Sequence, residues 1–163
     1  MNNLAERIER SLFRGKRKDN CKWELGAYLL HFKRQLCPFG DSYTDKDIVH
    51  LIIKSGFADW NLPRPIEGVP VDRATVGQCT GEQDMNQMLI FEGDVLSDGQ
   101  HEGIVEWRDG GWCLCYRKKN GFTDNNNLVD VCSSNFIAGN IHDGCPGDFV
   151  LGVEANGAEF ASI

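Results

Sequence analysis

Gly103-Ile104-Val105-Glu106-Trp107-Arg108-Asp109-Gly110-Gly111-Trp112-Cys113-Leu114-Cys115-Tyr116 carries the pattern of a β-hairpin. Ile104 and Glu106 fall on one side of the chain and Val105 and Trp107 on the other, which is the period of a β-strand. Asp109-Gly110-Gly111 supplies a tight hairpin turn, and Trp112 to Lys118 reads as the returning strand. Trp107 and Trp112 flank that turn, so they are placed to stack across strands and pack the core.

The same signals continue on both sides. Upstream, Thr75 to Thr80 reads as a short strand ending at Gly81. Leu89 to Leu96 reads as another, containing Glu92-Gly93-Asp94 and followed by the turn Ser97-Asp98-Gly99. Downstream, Asn120-Gly121 turns the chain, Asp124 to Asn127 reads as a polar loop, and Leu128 to Cys132 as a short strand. Ser133-Ser134-Asn135 is suited to cap one turn, and Phe136 to Ile141 closes the core. Short strands joined by glycine turns predict a mainly β protein with little helix, built around a small SH3-like barrel or roll. A strand ending in Gly93-Asp94, a loop, and then a Gly-x-Val-x-Trp strand is how such a roll begins. The glycine permits the bend and the acid bonds backbone donors in the loop.

The N-terminal part reads as a separate lobe. Leu4, Ile8 and Leu12 recur at helical spacing, giving one or two turns over Asn2 to Ser11 with Asn2 or Asn3 as cap. Leu12 to Arg17, the turn Lys18-Asp19-Asn20-Cys21, and Trp23 to Phe32 form a β-hairpin, with Trp23, Leu25, Ala27 and Leu29 on one face. Cys37 to Tyr43 is a loop. Residues 47–54 carry two signals. Thr44-Asp45-Lys46-Asp47 resembles a capping box that opens a helix, whereas Ile48, Val49, Ile52 and Ile53 favour a strand. Ser55-Gly56 stops the run at strand length, which favours the strand. Trp60 to Pro70, with Pro63, Pro65, Gly68 and Pro70, reads as irregular. It divides an N-terminal lobe, 1–70, from a C-terminal roll, 71–163, the two forming one compact unit.

Composition bounds the function. The 163 residues include 41% hydrophobic and 25% charged side chains, enough for a packed core. No stretch reaches membrane-spanning length, and Met1 to Arg10 lacks the apolar run of a secretory signal. A cytoplasmic protein is expected. Its seven cysteines are then reduced thiols rather than a disulfide framework. The net charge of −7 is uneven: residues 1–34 hold nine basic against four acidic side chains. The acidic remainder opposes nonspecific nucleic-acid binding, while the basic arm leaves a local contact open.

Val71-Asp72-Arg73-Ala74-Thr75-Val76-Gly77-Gln78-Cys79-Thr80-Gly81, then Asp84, then Ile90-Phe91-Glu92-Gly93-Asp94-Val95, resembles the YopX family of phage and prophage proteins. Phe13-Arg14-Gly15-Lys16, Gly103-Ile104-Val105-Glu106-Trp107 and Gly139-Asn140-Ile141-His142 fit in the same order, over about residues 12–142. Cys79 stands where the family usually has an aromatic residue, and Cys21 where a hairpin glycine is common. Asp84 to Leu89 lacks the usual lysine- and glycine-rich turn. The resemblance implies a largely β protein with an SH3-type roll, of prophage or mobile-element origin in a bacterium. It carries no catalytic residues over.

Candidate sites are few. Arg14, Lys16, Arg17 and Lys18 form the only group of nucleic-acid character, with Arg14, Lys16 and Lys18 on one strand face; the plain alternative is a solubilising edge. Phe57 and Trp60 offer an aromatic partner patch, or else pin the linker. Asp84, Glu92 and Asp94 would suit a metal-dependent nuclease if they converged, with Glu92 and Asp94 on one strand face. Cys113 and Cys115, with Cys132, His142 or Cys145, would suit zinc, but C-x-C is more simply a pair of buried strand thiols. No nucleophile elbow, phosphate loop or dinucleotide fingerprint occurs. The residues thus predict a non-enzymatic accessory protein without cofactor that acts by binding an unidentified protein, nucleic acid or copies of itself. The alternatives are nucleic-acid binding through the basic arm and, less favoured, the nuclease.

Overall fold

The computed structural model describes residues 11–37, 39–55, 65–117 and 123–144. The helical stretch expected from Asn2 lies outside them except for Ser11, as does the Asn120-Gly121 turn. The described residues divide into two compact units, Ser11–Gln78 and the part from Cys79 onward. Both are mainly β, as the alternating sequence requires.

In the first unit, β1 (Phe13–Lys16) and β2 (Trp23–Phe32) form the expected hairpin, with Lys16 opposite Trp23 and Phe13 opposite Gly26. β3 (Ile48–Ser55) pairs with β2, and β4 (Ile66–Pro70) pairs with β3, all antiparallel. Both signals at 47–54 are used in turn. Thr44 and Asp47 make a capping box, but it closes only a single 3-10 turn, Asp45–Asp47, before the β-branched run takes over as β3. β4 corrects the irregular reading of Trp60 to Pro70. Pro70 ends a strand paired on one side by β3, where a missing amide hydrogen is tolerated.

Past β4 the chain turns back onto β1. Val71 bridges Arg17, and the Asp72 amide donates to the Lys16 carbonyl at 2.8 Å. A 3-10 turn follows at Arg73–Thr75, capped by the Asp72 side chain accepting from the Ala74 amide. This turn places the Thr75 hydroxyl 2.8 Å from the Lys16 amide, which donates to it. β5 (Gly77–Gln83) begins here, with Gly77 and Gln78 pairing with β1. The core of this unit is Ile52, Val69 and Val71.

In the second unit the rest of β5 pairs with β6 (Leu89–Phe91), across an irregularity that contains Gly81. β7 (Asp94–Ser97), β8 (Glu102–Arg108), β9 (Gly111–Arg117), β10 (Thr123–Asn127) and β11 (Phe136–Asn140) form a five-stranded antiparallel sheet ordered β10-β9-β8-β7-β11. Its core is Ile90, Leu96, Val105, Leu114, Leu128 and Cys132, with Trp112, Tyr116 and Ile137 packed against it. Neither sheet closes into a barrel among the described residues.

Three expectations are corrected here. Leu89 to Leu96 is two strands, because Gly93 at φ 79° turns the chain between β6 and β7. Asp124 to Asn127 is strand rather than loop: it lies at the sheet edge and completes the backbone ladder of β9 without burying a side chain. Leu128 to Cys132 is a short helix, α1 (Leu128–Val131), running into a 3-10 turn at Cys132–Ser134. Leu128 and Cys132 anchor it by reaching the core at helical spacing.

Two positions carry backbone constraints. Cys21 sits at φ 57°, where a residue with a side chain is strained and glycine is not. At Gly26 the β3 backbone comes so close that a Cβ would fall onto the Ile53 carbonyl oxygen. Cys21→Gly should therefore raise the thermal midpoint by a few degrees, worth about 1 kcal/mol. Gly26→Ala should lower stability by about 2 kcal/mol or more, because backbone rather than a flexible side chain must move. Thermal denaturation by circular dichroism checks both, and opposite signs would refute the assigned backbone geometry. Thr75→Val, which leaves the Lys16 amide without its acceptor, should cost about 1–3 kcal/mol. A neutral result in the same assay would remove that hydrogen bond from the account.

Candidate functional site

The hairpin register decides what the first unit shows to its surroundings. Directly opposed residues share a sheet face, so Leu25 and Arg14, Ala27 and Ile53, and Leu29 and Leu51 lie on one side. Pro70, Gly68 and Ile66 extend that side through β4, opposite Leu51, Ile53 and Ser55. Ile52 and Val69 point the other way, into the core. The first face stays open: Leu25 and Leu29 are each 49% exposed and Ile66 is 81% exposed. The sequence showed the Trp23, Leu25, Ala27, Leu29 alternation, but this pattern reads as core. Only the pairing with β3 and β4 shows that it is an uncovered face.

The basic group does not form a free patch. Lys16 is buried, at 4% exposure, and its ammonium lies 5.2 Å from the centre of the Trp23 ring. The Arg14 guanidinium lies 4.7 Å from the same ring. Both cations are thus folded against one aromatic face. Arg17 bonds Asp19 at 2.7 Å and Glu24 at 3.0 Å, and Lys54 reaches the other Glu24 oxygen at 2.8 Å. These cations, Lys54 first, hold the Glu24 carboxyl below its ordinary range. Lys18 is the member that stands exposed, beside a cleft of about 300 Å³ lined by Arg17, Lys18, Asp19 and Pro70. Phe57 and Trp60 lie outside the described residues.

The carboxylates of the nuclease reading serve the backbone. Asp84 accepts from the amides of Asn86, Met88 and Ile137 at 2.8–3.0 Å, fixing the β5–β6 turn and the start of β11. Those amides hold its carboxyl below the ordinary range against the opposing effect of burial. Asp94 is fully buried, accepting from the Phe91 amide at 2.8 Å and from the Asn140 side chain at 3.3 Å. This is the loop-bonding role expected of the Gly-Asp pair. Glu92 is exposed on the turn, so the shared strand face expected for Glu92 and Asp94 does not exist. Cys115 is buried opposite Ile104 and Cys113 is half-buried opposite Glu106. Burial pushes the Cys115 and Cys132 thiols upward, away from metal-binding thiolate. Cys145 lies outside the described residues, and among those described no three His, Cys, Asp or Glu side chains come together as a metal cluster. Trp107 and Trp112 stack edge-on with centroids 5.0 Å apart, but Trp107 is 56% exposed and only Trp112 joins the core.

One polar pair went unnoticed in the sequence. The Tyr28 hydroxyl and Nδ1 of His50 share a hydrogen bond, and the two rings stack at 5.9 Å. No motif announces it, because two residues from different strands meet only through the β2–β3 register. Partial burial, then the cations of Arg73 and Lys18, hold His50 below the ordinary histidine range, with Asp45 and Asp72 opposing.

No helix among the described residues is long and apolar enough to cross a membrane. The fold defines a mainly β protein of two antiparallel-sheet units, with an open apolar sheet face on the first. The YopX protein family matches residues 12–145, most of the chain, and the chain belongs to that family. A comparison with curated proteins finds no match.

His50 gives a pH prediction. Its folded pKa lies below the unfolded value of about 6.5, so the unfolded chain takes up the proton first as pH falls. The stability linked to neutral His50 is complete above about pH 7 and drains away below about 6.5 until the folded pKa is reached. Thermal midpoints should fall more steeply from about pH 7.5 to 5.5 in the wild type than in His50→Gln. Parallel slopes would show that His50 has no linked titration.

Proposed function

We propose that this chain is a non-enzymatic accessory protein of prophage type, working in the cytoplasm by binding a protein surface through the open apolar face of β2, β3 and β4. The observation that carries this reading is the exposure of Leu25, Leu29 and Ile66 on one sheet face, while Ile52 and Val69 on the other side are core. An apolar face left to water costs free energy that only a partner recovers. A protein partner is favoured over nucleic acid because Lys16 is buried and Arg17 is ion-paired within its own unit. Binding is favoured over catalysis because the oxygens of Asp84 and Asp94 hold backbone amides and a buried side chain. We take the second unit as an SH3-type roll serving as scaffold, on the strength of the Gly93-Asp94 turn and the short strands that follow it.

The test is photo-crosslinking in the cell from a photoreactive residue at position 29, with position 109 on the β8–β9 turn as control. Discrete adducts from position 29 alone are expected. Their absence from position 29 would overturn the reading. Fluorescence anisotropy with duplex DNA, single-stranded DNA and RNA at low salt should show no binding. Salt-sensitive binding lost in Lys18→Ala would replace the protein partner with nucleic acid.

A further inference from the structure

We propose that β10, at one edge of the second unit's sheet, docks an extended peptide segment of a partner protein, one whose side chains are uncharged amides and hydroxyls. The open face of the first unit has no part in this.

The two edges of the sheet are treated differently. At β11 the ladder is interrupted between Ile137 and Gly139. Two of its amides are also taken by carboxylates, Ile137 by Asp84 at 3.0 Å and Asn140 by Asp143 at 2.7 Å. A bulge and capped amides leave an incoming strand little to bond. β10 has none of these devices. Thr123 to Asn127 stay in unbroken register with Arg117 to Cys113 of β9, and β10 ends the sheet. The strand holds no proline and no lysine, and Asp124 to Asn127 are all exposed. In an antiparallel strand paired on one side, alternate residues aim both amide and carbonyl away from the partner. Among the described residues no strand lies beyond β10 to receive them. Such an edge is the surface on which an added strand forms main-chain bonds.

The side chains say which strand fits. Asparagine is a poor strand former, so Asn125, Asn126 and Asn127 do little to stabilise β10 by itself. Asn126 bonds the Tyr116 hydroxyl. Asn125 and Asn127 share the other face, at the register of Cys115 and Cys113, and their side chains bond no described residue. Asp124, the strand's one charged residue, falls on the Asn126 face, so β10 brings no charge to the face of Asn125 and Asn127. Primary amides at period two both donate and accept. They pair best with amide or hydroxyl side chains directly opposite on the added strand.

Fluorescence anisotropy of the full chain with a labelled peptide of about seven alternating threonines and asparagines tests this. Saturable binding is expected, and the amides of residues 123–127 should be the ones that gain protection from hydrogen exchange. The same peptide N-methylated at every residue should bind at least about tenfold more weakly, because it has no amide hydrogens to donate. Asn125→Lys with Asn127→Lys, both at exposed positions, should weaken binding by at least about tenfold while circular dichroism stays native. The methylated peptide needs no altered protein, so the test stands even where the lysine variant does not fold. Absence of binding up to about 1 mM peptide overturns the proposal. So does binding that N-methylation or a folded lysine variant leaves unchanged, and so does protection that falls on other strands. None of these results alters what the crosslinks from position 29 decide.

Discussion

The first unit depends on how the backbone of β1 is satisfied on its second side. Residues 70–75 supply the partners: the Pro70 carbonyl accepts from Lys18, Val71 bridges Arg17, and the Asp72 amide and Thr75 hydroxyl take the two polar groups of Lys16. A buried amide left without a partner costs a large fraction of a small unit's net stability. With these bonds made, β4 and β1 are tied together and Val71 is held in the core. Ile52 and Val69 then have to point inward beside it. By alternation, Leu25, Leu29, Leu51 and Ile53 have to point outward. The open face is therefore a consequence of the clamp, not an isolated patch of greasy residues.

This gives a physical sense to the run Val71-Asp72-Arg73-Ala74-Thr75. Asp72 caps its own turn and Thr75 reaches back to Lys16, so the motif serves as a structural clasp. The same holds for Gly93-Asp94 in the second unit, whose carboxylate fastens Phe91 and Asn140. The residues that looked most like chemistry in the sequence are thus largely hydrogen-bond fasteners.

How much was legible in the sequence follows from the same physics. The hairpins at Trp23 and Trp107 declare themselves because period two and glycine turns are local signals. The strand at Thr123–Asn127 does not, since an edge strand of polar residues gains its place from the neighbouring ladder and carries no apolar pattern. Leu128 to Cys132 misleads because its valines favour strand, while Leu128 and Cys132 reach the core at helical spacing. The basic group at 14–18 was visible as charge, but the Trp23 ring that takes up Arg14 and Lys16, and the burial of Lys16, depend on the β1–β2 register. The open face was visible as a stripe, and only the sheet order shows that its outer side is uncovered.

That this outer side stands open to a partner is checked by methyl NMR of the full chain with a soluble paramagnetic relaxation agent. The methyl resonances of Leu25, Leu29 and Ile66 should broaden strongly while those of the buried Ile90, Leu96 and Leu114 stay sharp. Protection of Leu25, Leu29 and Ile66 equal to that of the buried methyl groups would show that the face is covered and unable to receive a partner.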